Sequence, residues 1–89
     1  MRSATIYLAL RYGPESAWSA AIAAEIRFRR RARGFSQADL AEPLSGSYVS
    51  AVEAGRVMPS LPALLYMLER LDVSAPIFFE AVNCRLRSV

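Results

Sequence analysis

The stretch from Gly34 to Ser60, GFSQADLAEPLSGSYVSAVEAGRVMPS, constrains the fold of this chain more than any other. It holds two short helical patterns. Ser36 caps the first, Asp39 three residues on completes a shortened capping box, and Phe35 just before the cap is placed to staple onto Leu40. Ser45 opens the second pattern, Tyr48 or Val49 with Val52 supplies its inward face, and Gly55 ends it. Pro43 disfavours helix for the residue before it, so the first pattern fades at Pro43-Leu44 and the connection to the second is very tight.

Just before this segment the charge is concentrated. All 11 basic residues are arginine, and Arg27, Arg29, Arg30, Arg31 and Arg33 fall within seven positions, whereas the acidic residues are scattered singly. The net charge of +3 is modest, so its distribution carries the argument: a local patch this dense can neutralise several phosphates and steer a polyanion. The alternative is a solvated helix end, but one helix face cannot hold all five residues.

Eighty-nine residues fit one domain with a small core, yet 54% of them are hydrophobic. The surplus reads as a partner surface, most simply for a second copy of the chain; a well-filled monomer core is the alternative. Cys84 is the single cysteine, so no intramolecular disulfide forms, and the absence of histidine rules out a Cys/His zinc site. No apolar run approaches a membrane span, and the N-terminus lacks a signal-peptide core and cleavage site, so a cytoplasmic location is expected. General acid–base work most often uses histidine, and no glycine-rich phosphate loop appears; no enzymatic function and no cofactor are expected.

Along the chain, Ile6, Leu8, Leu10 and Tyr12 alternate with Tyr7, Ala9 and Arg11 up to the break at Gly13-Pro14, which favours a short strand over a helix. A helix from Pro14 to Arg33 follows, with Trp18, Ile22 and Ile26 on one face and Gly34 as its stop. After the two short helices, Ser60 and Ser74 each precede a proline by two residues and cap a fourth helix over about 61–71 and a fifth over about 75–83. The domain expectation is a single unit over 1–89, with an extension over 1–13, a helical core over 14–83 and a tail over 84–89.

Residues 26–73 resemble the Xre / phage-repressor (Cro/CI-type) helix-turn-helix family. The resemblance rests on many marks in order, including Ile26-Arg27, Arg30, Gly34, Ser36-Gln37, Leu40-Ala41, Tyr48-Val49-Ser50, Val52-Glu53, Gly55-Arg56, Pro59-Ser60-Leu61 and Leu71-Asp72-Val73. It implies an all-α, five-helix, lambda-repressor-like DNA-binding domain, to which the N-terminal strand would add a dimerisation element. It places the helix opened by Ser36 across the DNA backbone, with Gln37 donating to a phosphate, and the helix opened by Ser45 in the major groove. It makes Arg30 and Glu53 a buried ion pair and puts Arg56 at a phosphate.

Two departures from the family stand out. Its members usually have two more residues between the second and third helices, and at Phe28-Arg29 they have a polar residue followed by an apolar one, the reverse of this chain. Phe28 is thereby expected to face a partner or a rearranged core. The groove-facing candidates Gly46, Ser47, Ser50 and Ala51 cannot make the bidentate bonds of Arg to guanine or Asn/Gln to adenine, so phosphate contacts and DNA shape would carry more of the recognition.

The expected function is transcriptional regulation by a homodimer on double-stranded DNA with a two-fold-symmetric operator. Arg29, Arg31, Arg33, Gln37 and Arg56 would meet phosphate. Ile6, Leu8 and Leu10, with Ile77, Phe78, Val82 and Leu86 of the last helix, are the expected dimer surface. A protein-interaction module, an antitoxin or adaptor with the same fold and weak DNA binding, is the alternative; it would bring a protein partner.

Overall fold

The computed structural model describes residues 14–87 and contains five helices: α1 Pro14–Ala32, α2 Gln37–Ala41, α3 Gly46–Glu53, α4 Leu61–Leu71 and α5 Ala75–Arg87. No strand occurs among the described residues. The expected strand over 4–12, with Ile6, Leu8 and Leu10, lies outside them.

Each serine anticipated as a cap occupies that position. Ser36 Oγ accepts from the Asp39 N–H (3.0 Å) while the Asp39 carboxylate accepts from the Ser36 N–H (2.8 Å), which completes the reciprocal box. Ser45 Oγ accepts from Tyr48 N–H (3.1 Å) and Ser60 Oγ from Ala63 N–H (3.3 Å). Ser74 Oγ accepts from Ile77 N–H at 3.4 Å.

Three helices end in one way. The N–H two residues beyond the last turn reaches back five residues: Phe35 to Arg30 (3.1 Å), Arg56 to Ala51 (3.0 Å) and Val73 to Leu68 (3.1 Å). This double-bonded stop needs a left-handed residue at its centre. Gly34 (φ 72°) and Gly55 (φ 76°) provide it after α1 and α3, but Asp72 (φ 57°) must provide it after α4.

Helix α2 ends before Pro43, and the Glu42-Pro43 bond is cis. The missing two residues of the connection are therefore absorbed by an early end to α2, and residues 42–45 carry the chain to α3.

The core lies where α1 packs on α3 and α5, α2 on α3 and α4, and α4 on α5. Ile26, Leu40, Val49, Val52, Met67, Phe78 and Val82 are its fully buried side chains. Trp18 and Phe35 pack against it from the edge.

This arrangement corrects the expectations for the last helix. Phe78, Val82 and Leu86 follow each other at spacing four, and the stripe they form is buried in the chain's own core, so it cannot form a dimer surface. Burying Leu86 also extends the helix to Arg87, past the expected boundary at Asn83. Of that set only Ile77, 55% exposed, faces outward.

Asp72 gives the first prediction. A non-glycine residue held at positive φ costs stability, and its one ion-pair contact, to Arg33 at 3.9 Å, is exposed and weak. Asp72→Gly is expected to raise stability by up to about 1 kcal/mol, read as a higher midpoint in urea unfolding.

Candidate nucleic-acid interface

A carboxylate at the C-terminal end of α3 organises this site. Glu53 is buried, and Arg30 from α1 meets it with both edges of its fork: Nε donates to Oε2 at 2.6 Å and Nη2 to Oε1 at 2.9 Å. Gln37 from α2 donates from Nε2 to the same Oε1 at 3.0 Å, and Arg27 donates from Nη1 to the backbone carbonyl of Glu53 at 2.7 Å. Arg30 Nη1 also donates to the Phe35 carbonyl (2.8 Å), tying the α1–α2 connection to the same centre. One carboxylate thus joins α1, α2 and α3.

Burial pushes the Glu53 carboxyl up. The hydrogen bonds from Arg30 and Gln37, with the charges of Arg30 and Arg27, outweigh that and hold it below the usual carboxylate range. The same pair raises the Arg30 guanidinium above its ordinary value, chiefly through the hydrogen bond to Glu53. Asp39 is also held low, because its carboxylate accepts from the Ser36 backbone N–H.

On this frame α3 turns Val49, Val52 and Glu53 inward. Gly46 and Ser47 are exposed, while Ser50 and Ala51 are half-buried. No side chain in this set is longer than serine, so the helix presents a low surface on which its backbone can approach a partner closely. Tyr48, expected from the sequence only as an alternative to Val49 on the inward face, links α3 onward: its hydroxyl accepts from the Ser60 N–H (3.2 Å) at the cap of α4. Arg70 of α4 reaches back to donate to the Asp39 carbonyl in α2.

The five clustered arginines are sorted by their partners. Arg27 and Arg30 hold Glu53. Arg29 donates to the buried carboxylate of Glu25, one turn earlier, at 2.5 Å, and Arg85 of α5 donates to the other oxygen of that carboxylate at 2.8 Å. Arg29 is therefore committed within the chain, which does not fit the phosphate role expected of it. Arg33 lies over the Phe35 ring (5.2 Å to its centroid) and near the Leu71 carbonyl and Asp72. Among the described residues, the Arg31 and Arg56 side chains have no hydrogen-bond or ion-pair partner, and both residues are exposed.

The Glu25 centre was missed from the sequence, although its spacing of four from Arg29 was a usable signal. Arg85 is 60 residues away from Glu25, and no local pattern pairs them. Gln37 is brought to Glu53 rather than left at the surface; its amide retains a second N–H for another acceptor.

A short helix laid across the frame, a second capped by Ser45 with its small face outward, and a basic α1 beside them define a helix-turn-helix DNA-binding domain. A helix-turn-helix domain model matches residues 21–76, and the chain belongs to that family of DNA-binding regulators.

The fold is similar to that of the restriction-modification controller protein C.Esp1396I in three crystal structures. The wild-type protein gives a TM-score of 0.75 at 24% identity, covering 81% of this chain and 96% of that one. A point mutant of the same protein gives 0.73 at 24% identity, covering 78% and 90%. The tetramer in complex with its natural 35 base-pair operator gives 0.72 at 25% identity, covering 78% and 93%. No curated protein matches the chain in sequence. No helix among the described residues is long and apolar enough to cross a membrane.

Removing one partner of a buried ion pair strands the other, so Glu53→Ala is expected to lower stability by about 3–5 kcal/mol, read by urea unfolding. The pH dependence has a definite sign. Because the folded Glu53 carboxyl lies below its unfolded value, its stabilisation is present above that unfolded value and is lost as pH falls through the folded one. The stability gap between the native chain and Glu53→Gln should therefore be full at neutral pH and shrink on acidification; a gap that stays constant would show that this carboxylate is not the one titrating.

Proposed function

We propose that the protein is a transcriptional regulator that binds double-stranded DNA as a homodimer on a two-fold-symmetric operator, with α3 as the recognition helix. The observation that carries this reading is the outward face of α3, Gly46, Ser47, Ser50 and Ala51, held on α1 and α2 through Glu53. Membership of the helix-turn-helix family supports it, as does the similar controller protein in complex with its operator.

Around that face, Gln37 at the start of α2 and Arg56 beyond the end of α3 are the phosphate donors we favour. Arg33 is half-exposed and can add its charge at the α1–α2 connection. Small groove-facing residues leave direct base reading to serine hydroxyls and to alanine against thymine methyls, so phosphate contacts and DNA shape carry a larger share of the recognition than usual. In a dimer the two recognition helices would enter successive major grooves roughly 34 Å apart.

The dimer surface draws on apolar side chains that the fold leaves outside: Leu61 (62% exposed) and Leu65 (45%) on α4, and Ile77 (55%) on α5, alongside the N-terminal Ile6, Leu8 and Leu10. The exposed apolar residues also suit the second reading, a protein-interaction module, and salt separates the two. Phosphate contacts release counterions on binding; an apolar protein interface does not.

Binding to fragments that include the protein's own upstream region, followed by gel shift, should therefore weaken steeply with added salt. Arg56→Gln should weaken binding on every sequence and reduce the slope against log salt by about 1. A complex that ignores salt would reject the DNA reading. For the dimer, Leu65→Glu and Ile77→Glu are each expected to shift the sedimentation profile towards monomer with the melting temperature little changed, because neither side chain contributes to the buried core.

A further inference from the structure

On the side of α1 that meets the end of α5, an open groove of about 470 Å³ is lined by Ala24, Arg27, Phe28, Arg31, Ala32 and Arg85. Arg31, expected from the sequence at a phosphate, is part of this lining, whereas Phe28 and Arg85 play no part in the DNA reading. Phe28 is 59% exposed, whereas Trp18, Phe35, Tyr48, Phe78 and Phe79 are drawn into or against the core. The inverted order at Phe28-Arg29 explains how this comes about: Arg29 turns to the buried Glu25, and Phe28 is left facing water. An exposed aromatic ring flanked by arginines is the composition of an interaction anchor.

The charge around the ring has one sign. The charged residues that line the groove are all arginine, and the Glu25 carboxylate that Arg85 meets is already shared with Arg29. Arg31 carries its charge into the groove without an intrachain partner among the described residues. An occupant must therefore bring carboxylates together with apolar side chains.

Duplex DNA presents mainly phosphate and sugar to an open groove, its thymine methyls lying inside the major groove, and it has no mobile apolar side chain to lay against Phe28 and the two alanines. Single-stranded bases would stack on an open aromatic face, yet the Arg85 guanidinium lies over this ring at 5.9 Å from its centroid. Residues 1–13 of the chain contain arginine and no acid, so that segment cannot supply the complementary charge.

We infer that the groove formed by Phe28, Arg31 and Arg85 docks an acidic, hydrophobic peptide segment of a protein partner, with an apolar side chain against Phe28 and Ala24 and a carboxylate on Arg31. The regulator thereby has a protein-contact face on α1 and α5, separate from α3.

The test uses the full chain and a short fluorescein-labelled peptide of alternating aspartate and leucine, followed by anisotropy. The peptide should bind in the micromolar range. Phe28→Ala should weaken it on the order of tenfold, and Arg31→Gln should weaken it in a salt-dependent way. Amide shifts on binding should centre on Ala24, Phe28 and Arg31. Phe28→Ala should fold normally, because the ring is mostly outside the core, and should bind DNA as the native chain does.

The inference is overturned by several outcomes: no peptide binding, equal binding by a peptide with serine in place of leucine, or binding that survives Phe28→Ala. It is overturned equally if a single-stranded oligonucleotide binds the same residues more tightly than the peptide, which would make the groove a nucleic-acid surface.

Discussion

The geometry of the helix-turn-helix depends on the Glu53 carboxylate. Its two oxygens and its backbone carbonyl receive four hydrogen bonds, from Arg30, Gln37 and Arg27. Those donors come from α1 and α2, so the carboxylate fixes three helices at one point. Buried ion pairs are poor sources of net stability, because desolvating two charges costs about as much as their attraction returns. What such a centre does supply is direction. Apolar packing among Ile26, Leu40, Val49 and Val52 tolerates small sliding motions, whereas a two-pronged guanidinium–carboxylate pair tolerates few.

Local chemistry made much of the fold legible in the sequence. The serine caps at 36, 45, 60 and 74 and the glycine stops at 34 and 55 act within a single turn, so residue type and spacing were enough to read them. Asp72 escaped because an aspartate in the left-handed region looks like any other aspartate in a sequence. The stripe Phe78, Val82, Leu86 was visible as a stripe. Whether it met the chain's own core or a second copy depended on where α1 lies, which no local pattern states. The arginine cluster shows the same limit. Its five members differ only in what they reach, and those partners stand 26, 23 and 38 residues away for Arg27, Arg30 and Arg33.

Glu53 and Glu25 sort the arginines of the basic helix into two groups. Glu53 draws Arg27 and Arg30 towards the helix-turn-helix, and Glu25 draws Arg29 towards α5, where Arg85 joins it. Each centre takes two arginines for one acid, so each leaves a positive excess beside it. The charge that sequence composition presents as one patch is therefore two fields, one at the frame of α3 and one at the groove beside Phe28. Polyanion steering needs only the sum of them, but close contacts depend on each separately.

The small residues on α3 raise the demand on that frame. A recognition helix with long side chains can adapt its reach by changing rotamers, and modest errors in its placement are absorbed. Gly46, Ser47, Ser50 and Ala51 have almost no reach to adjust. On the proposed reading, a displacement of the helix by a fraction of a hydrogen-bond length would move serine hydroxyls and alanine methyls out of contact together. Precision must then come from beneath the helix, where Arg30 and Gln37 grip Glu53, and from its far side, where the Tyr48 hydroxyl holds the cap of α4. A chemically quiet reading surface and a densely bonded support under it are thus two parts of one solution: the fewer degrees of freedom at the contact, the more of its accuracy must be built into the fold.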